Sequence, residues 1–138
     1  MSQSVLGALQ YMMDLVGAIS GIRGAPDYPE EITNVYPFAI AYVGAGEWHC
    51  QAGQKEFRGD LVLELHVSRK DLPRDAEKLM GYVESIPNAI ENAPTLNNTC
   101  AQVMFPIQFS GLVASQYGSQ ETLAYIWRVR VSVWSAIT

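Results

Sequence analysis

The sequence predicts an α+β fold in one domain spanning residues 1–138: a mostly antiparallel β-sheet, two α-helices packed on one face, and an extended β-hairpin. Three observations carry this. Residues 121–134 alternate with a period of two, the mark of a strand with one buried face. Two stretches place apolar residues at spacings of three and four, the mark of amphipathic helices. Helical and extended segments are segregated along the chain, not strictly alternating, which favours α+β over a doubly wound sheet.

The terminal run is the candidate keystone. Leu123, Tyr125, Trp127, Val129, Val131 and Val133 fall on one face, and Ala124, Ile126, Arg128, Arg130, Ser132 and Trp134 on the other. It is longer than the usual strand of ~5–6 residues and must pair with segments made much earlier.

Taken in order, residues 4–20 form the first helix, capped by Ser4, with Val5, Leu9, Met12, Met13, Val16 and Ile19 as its stripe. Gly21, Gly24 and Pro26 end it. The proline-containing loop Gly24–Pro37 follows, long enough to expect function or contact with a neighbour. Residues 38–43 form a short strand closed by Gly44 and Gly46. Residues 47–52 and 55–59 are expected to be the arms of a hairpin, turned at Gly53, that overshoots the sheet. A two-stranded arm is marginal alone in water, so it requires a partner. Residues 55–68 as a whole make a second long strand.

The second helix opens at Asp71 with Pro73 in its first turn and acidic residues at its positive end. Ala76, Leu79, Met80, Val83 and Ile86 form its stripe, and Pro87 ends or kinks it, with 88–92 as a possible last turn. Residues 93–99 are a loop. Residues 101–114 are extended, with Ile107, Phe109, Gly111 and Val113 on one face, and 116–120 turn into the last strand.

Charged residues make up 17% of the chain, against ~25% in a typical domain, which hints at surface covered by other subunits. A net charge of −5 with nine scattered basic residues argues against gripping nucleic acid. No signal peptide pattern and no window of ~20 apolar residues is visible. The default expectation is therefore a cytoplasmic setting with Cys50 and Cys100 reduced and no membrane partner.

No motif specifies a reaction. His49, Cys50, His66 and Cys100 lack paired metal-ligand spacing, and neighbours in a strand point to opposite faces, so no metal is expected. Cys50, beside His49 in sequence, would not meet it in space, and Gly44–Gly46 is too short for a phosphate cradle. No catalytic residue and no cofactor is expected. What remains is surface. Glu64 and His66 share one face of their strand, as Arg128 and Arg130 do of theirs, and cross-strand ion pairs on a solvated sheet face are one outcome. The other is an interface, where aromatics and arginine are enriched. The expected interface residues are Glu47, Trp48, His49, Gln51, Gln54, Lys55, Phe57 and Arg58 on the hairpin, and Glu64, His66, Ile126, Arg128, Arg130 and Trp134 on the sheet.

The element order, the stretch Asp71-Leu72-Pro73-Arg74 opening the second helix, and the stretch from Tyr117 to Arg128 entering the last strand together resemble the tail terminator, or tail completion, proteins of long-tailed bacteriophages and their related head–tail neck proteins. The resemblance covers most of the chain. It implies a structural virion protein with no active site. Such a protein forms a homohexameric ring, caps the tail tube, stops its polymerisation and offers a head–tail joining surface. The implied partners are copies of itself, the tail tube protein and a neck or head-completion protein, with DNA passing through the ring without specific binding. The implied location is the virion tail or neck, after assembly in the host cytoplasm. The competing expectation is a small α+β enzyme or ligand-binding domain with a pocket between helices and sheet.

Overall fold

The computed structural model describes residues 3–19, 22, 38–67, 72–117 and 120–136. The proline-containing loop after the first helix and the 118–119 turn lie outside the described residues. The elements are α1 (Val5–Gly17), β1 (Phe38–Gln51), β2 (Gln54–Val67), α2 (Leu72–Glu91), β3 (Gln102–Tyr117) and β4 (Gln120–Ala136). The four strands form one antiparallel sheet in the order β1-β2-β4-β3. The α+β expectation holds, and the last strand is an inner one, paired with both β2 and β3.

α1 begins where Ser4 leaves the helix in an extended conformation and its Oγ accepts from Gly7 N at 2.9 Å, satisfying one orphan donor of the first turn. Its Ala8, Leu9, Met12, Met13 and Val16 are buried. Ala18 caps the end, so α1 stops short of the expected residue 20.

α2 departs from expectation twice. Pro87 lies inside it, and the helix runs on to Glu91. Pro in a helix interior costs about 3 kcal/mol; burying Ile90 one turn beyond offsets about 1.5–3 kcal/mol of that. The buried stripe is Tyr82, Ile86 and Ile90, whereas Met80, expected in the stripe, is exposed. Tyr82 lies two positions on from Met80, about 200° around the helix, so a stripe starting at Tyr82 turns Met80 outward. The side chains of Ala76 and Leu79 lie outside the described residues.

Both helices pack on one face of the sheet. Their buried side chains join Leu61, Leu63 and Leu65 of β2 and Trp127, Val129, Val131 and Val133 of β4 in a single apolar core. The odd-numbered residues of β4 are thus its helix-side face, as its alternation predicts. Leu96, also fully buried, anchors the loop that returns from α2 to β3. There Leu96, Asn97 and Asn98 form three consecutive left-handed residues (φ 45°, 58° and 65°), tied by Asn98 N donating to Thr95 Oγ1 and Thr99 Oγ1 donating to Leu96 O.

The expected short strand 38–43 and the first hairpin arm are one strand. β1 bulges between Val43 and Gly46, where Gly44 and Ala45 together oppose Asp60. Such a bulge shifts the side-chain alternation by one. Before it Ala39, Ala41 and Val43 share the helix-side face; after it Gly46, Trp48 and Cys50 do. The hairpin turns at Ala52 and Gly53, both at positive φ, as a tight two-residue turn demands. It does not overshoot the sheet. β4 accompanies β2 from Leu123 opposite Val67 to Ala136 opposite Gln54, so the tip is three-stranded. Only β3 falls short, joining β4 at Gln102 opposite Ser132. Beyond that point Gln3 Oε1 accepts from Trp134 N at 2.7 Å in place of a strand.

β3 has two irregularities, at Met104/Gln108 and at Phe109/Leu112. The second inserts one extra residue at Ser110–Gly111, with Gly111 at φ +79°. Val113 therefore leaves the face of Ile107 and Phe109, on which the sequence placed it, and pairs with Ala124 of the opposite face, while Leu112 takes the helix side opposite Tyr125. No described helix is long and apolar enough to cross a membrane.

Candidate interaction surface

The face of the sheet away from the helices is set by parity and by the β1 bulge. It carries Ile40, Tyr42, Glu47, His49 and Gln51 of β1, the even positions Gln54 to His66 of β2, and Ala124 to Trp134 of β4. It divides into two zones.

Near the start of β1 the face is closed within the chain. Ile40, Val62, Glu64, His66 and Ala124 are buried. Glu64 is the hub: Tyr42 Oη donates to its Oε2 at 2.5 Å, and His66 Nε2 lies 2.8 Å from its Oε1. Hydrogen bonding from His66 holds the Glu64 carboxyl below the ordinary carboxylate range; burial opposes this, and Tyr42 and the positive charge of Arg128 add to it. Burial, with the hydrogen bond to Glu64 and its negative charge, pushes Tyr42 up to about 12.

Toward the hairpin tip the face is open and charged. Ser132 Oγ donates to Glu56 Oε2, and Arg58 Nε lies 2.9 Å from the same oxygen. These two contacts hold the Glu56 carboxyl below its ordinary range. His49 Nε2 sits 3.2 Å from Glu47, and Arg130 Nη1 sits 3.7 Å from Asp60. Half-buried Trp134 lies opposite Glu56. An open depression of about 470 Å³ is lined by Trp48, His49, Cys50, Gln51, Glu56, Arg58 and Trp134. Two smaller ones of about 150 Å³ each lie beside Arg128, between β3 and β4 and next to Phe105. Between the helices and the sheet the described side chains form the apolar core.

The sequence-predicted interface residues therefore separate. Glu47, His49, Gln51, Gln54, Arg58, Arg128 and Arg130 are exposed on the open face, with Ile126 and Trp134 half-buried among them. Trp48 and Lys55 belong to the helix-side face at the tip, where the Lys55 ammonium sits 5.3 Å from the Trp48 ring centroid. Phe57 is a core residue, and Glu64 and His66 are spent inside the chain, because each turns onto neighbours that exclude solvent. The expected cross-strand ion pairing occurs, but at Asp60–Arg130 and not at Glu64, whose direct partners are His66 and Tyr42.

Sequence reasoning missed Tyr42, Glu56 and Ser132. Glu56 and Ser132 share the parity of the open face and were legible from alternation alone. Tyr42 was hidden because the bulge makes an even-numbered β1 residue share a face with Glu47 and His49. His49 and Cys50 do point to opposite faces. Among the described residues no three His, Cys, Asp or Glu side chains converge as a metal site.

No protein-family model matches the chain, and no curated protein matches its sequence.

Proposed function

We propose that the chain is a structural virion protein of the tail terminator or neck class, forming a ring that caps a tail tube, stops its growth and presents a head-joining surface. The observation that carries this reading is the exposed strip of β4 on the face away from the helices. It sets Arg128 and Arg130 between half-buried Ile126, opposite Glu64, and half-buried Trp134, opposite Glu56 at the tip. Arginine and aromatics against a polar rim are the composition of contact surfaces. The depressions around it are open and shallow, suited to a partner's surface more than to a small ligand, which favours enclosed apolar pockets. The excess of acidic residues suits a ring through which DNA passes without adhering. On this reading the protein works in the virion, with the tube protein and a neck protein as partners.

The test is the double variant Arg128→Glu/Arg130→Glu. Arg130 loses a partly exposed pair with Asp60 worth at most about 1 kcal/mol. Arg128 acts on Glu64 and Tyr42 only through its charge, the smallest of the influences on each, so the variant should fold with a Tm lowered by a few degrees at most. It should fail to cap tails: tubes of unregulated length and unjoined heads are expected, as when the protein is deleted from its virus. Tails of uniform length joined to heads in the absence of the protein would overturn the reading.

A further inference from the structure

The sheet has two edges among the described residues, β1 and β3, and they hold most of the exposed large apolar side chains. Tyr42, Val43 and Trp48 of β1 are 38%, 44% and 55% exposed, and Phe105, Phe109 and Leu112 of β3 are 54%, 43% and 41% exposed. Three such residues on each edge exceed the single scattered hydrophobics that need no explanation. An edge strand also presents unpaired backbone donors and acceptors, a template for another strand.

The directions of the strands say what fits. Every pairing in the order β1-β2-β4-β3 is antiparallel, so β1 and β3 run oppositely. Two copies set side by side in the same orientation bring β1 of one against β3 of the next, antiparallel, and the alternation of the sheet continues unbroken across the boundary. At equal height Trp48 lies beyond the start of β3, which joins β4 at Gln102 opposite Ser132. With the second copy slid along the strands by roughly four residues, Trp48 comes level with Phe105 and Val43 with Leu112, and one contact covers both apolar sets. A two-fold contact of β1 with β1 leaves Phe105, Phe109 and Leu112 in water. We infer that the exposed edge of β1, from Tyr42 to Gln51, docks against the β3 edge of a second copy of this chain, head to tail.

The contact is heterologous, so it closes only as a ring or grows without limit. Fully burying an aromatic covers about 150–250 Å². Six half-exposed side chains therefore supply roughly 600 Å² of apolar surface. Below ~1,200 Å² in total an interface is weak and transient. One edge contact is thus weak, and closure stabilises it, because each copy in a ring is held on both sides. Pro106 lacks an N–H, and the two irregularities of β3 interrupt its edge, so side chains more than a continuous ladder carry the contact.

The experiment uses two variants of the full chain, Val43→Glu/Trp48→Glu on the β1 edge and Phe105→Glu/Leu112→Glu on the β3 edge, followed by sedimentation velocity. Wild type should show concentration-dependent oligomers. Each variant alone should lose self-association on the order of a hundredfold or more, since an unpaired charge is trapped in the contact. Mixed in equal amounts at high concentration, the two variants should form a weak 1:1 heterodimer and nothing larger, because only one intact pair of edges remains and no ring can close. Circular dichroism checks that each variant folds, and the single variants Val43→Glu and Leu112→Glu serve if a double variant does not. Oligomers that survive both variants, a β3-edge variant that still dimerises alone, or a wild type monomeric at all concentrations overturns the inference. The tail-capping role is tested separately, by deletion and by the Arg128/Arg130 variant, and those outcomes do not depend on which edge pairs.

Discussion

The ring of Phe57 lies over Gly59, two residues further along the same strand, so closely that a Cβ on Gly59 would stand 2.3 Å from Phe57 Cζ. Gly59 pairs with Gly46 across the β1–β2 ladder, and a Cβ on Gly46 would meet Phe57 Cε2 at 2.8 Å and Gly59 Cα at 2.6 Å. The facing glycines make a flat patch that the aromatic ring fills. Gly59→Ala must push the ring off the patch, exposing the Trp48–Phe57 contact at the tip. A loss of about 1–3 kcal/mol in urea denaturation is expected, the usual cost of overpacking, although alanine would normally favour the strand over glycine. Gly53, at positive φ with open space around it, should tolerate alanine sterically and lose stability only through its backbone.

Acid should weaken the protein through Glu64. Its carboxyl is held below the ordinary range in the folded chain, chiefly by His66. The unfolded chain therefore binds a proton first as pH falls, and the stability Glu64 contributes is present above about pH 4.3–4.5 and is lost as pH drops through the lower folded value. Thermal melts of wild type and Glu64→Gln between pH 3 and 6 should show the two curves converging on the acid side. Curves that stay parallel would remove Glu64 as the hub. Tyr42 gives the alkaline counterpart. Its folded value near 12 lies above the unfolded value of ~10, so its contribution persists below about pH 10 and fades as pH rises toward 12. Absorbance titration of Tyr42→Phe should lack that late phenol step.

The two thiols should react unequally. Cys50 is exposed near the hairpin tip and Cys100 is buried, and burial pushes the Cys100 thiol up to about 11. A thiolate is the reactive species. A colorimetric thiol reagent at pH 8 should therefore titrate one equivalent in the native protein and two after denaturation. Cys50→Ser should abolish the native reaction.

The left-handed turn at Leu96–Asn98 combines strain and burial. A non-glycine residue at φ 45° costs roughly 1–2 kcal/mol, and the fully buried Leu96 side chain offsets it with about 1.5–3 kcal/mol. Leu96→Ala keeps the strain and loses the anchor, so a cost of about 2–5 kcal/mol is expected. Leu96→Gly loses the anchor and the strain together. It should be no worse than alanine, the reverse of the usual order, as chemical denaturation of the pair would show.

Much of this architecture was legible because alternation is a local property. The helix-side face of β4, the Gly53 turn, the Ser4 cap and the α1 stripe follow from neighbours a few residues apart. What was not legible depends on an inserted residue or on packing at a distance. One extra residue at Gly44–Ala45 brings Tyr42 onto the face of Glu47, and one at Ser110–Gly111 turns Val113 away from Phe109. Neither leaves more than a glycine in the sequence. The continuation of α2 past Pro87 goes with a buried Ile90, and Glu64 is drawn off the exposed surface by Tyr42, which arrives from another strand, and by His66 two residues along its own. Exposed Arg128, Arg130 and the tip residues were recoverable because arginine rarely enters a core unpaired.

The inner position of β4 has a kinetic meaning. It alone connects the β1–β2 hairpin to β3, and its partners on β2 lie roughly 55 to 80 residues earlier in the chain. Closing a loop of that size costs roughly 4 kcal/mol of chain entropy before any strand contact repays it. The β1–β2 and β3–β4 ribbons need only short loops, so each forms quickly and neither is stable alone. Their docking along β2 and β4 is then the slow step of folding. Until it happens, the β2 edge and the β4 edge are both bare, and the chain is most exposed to pairing with the wrong strand.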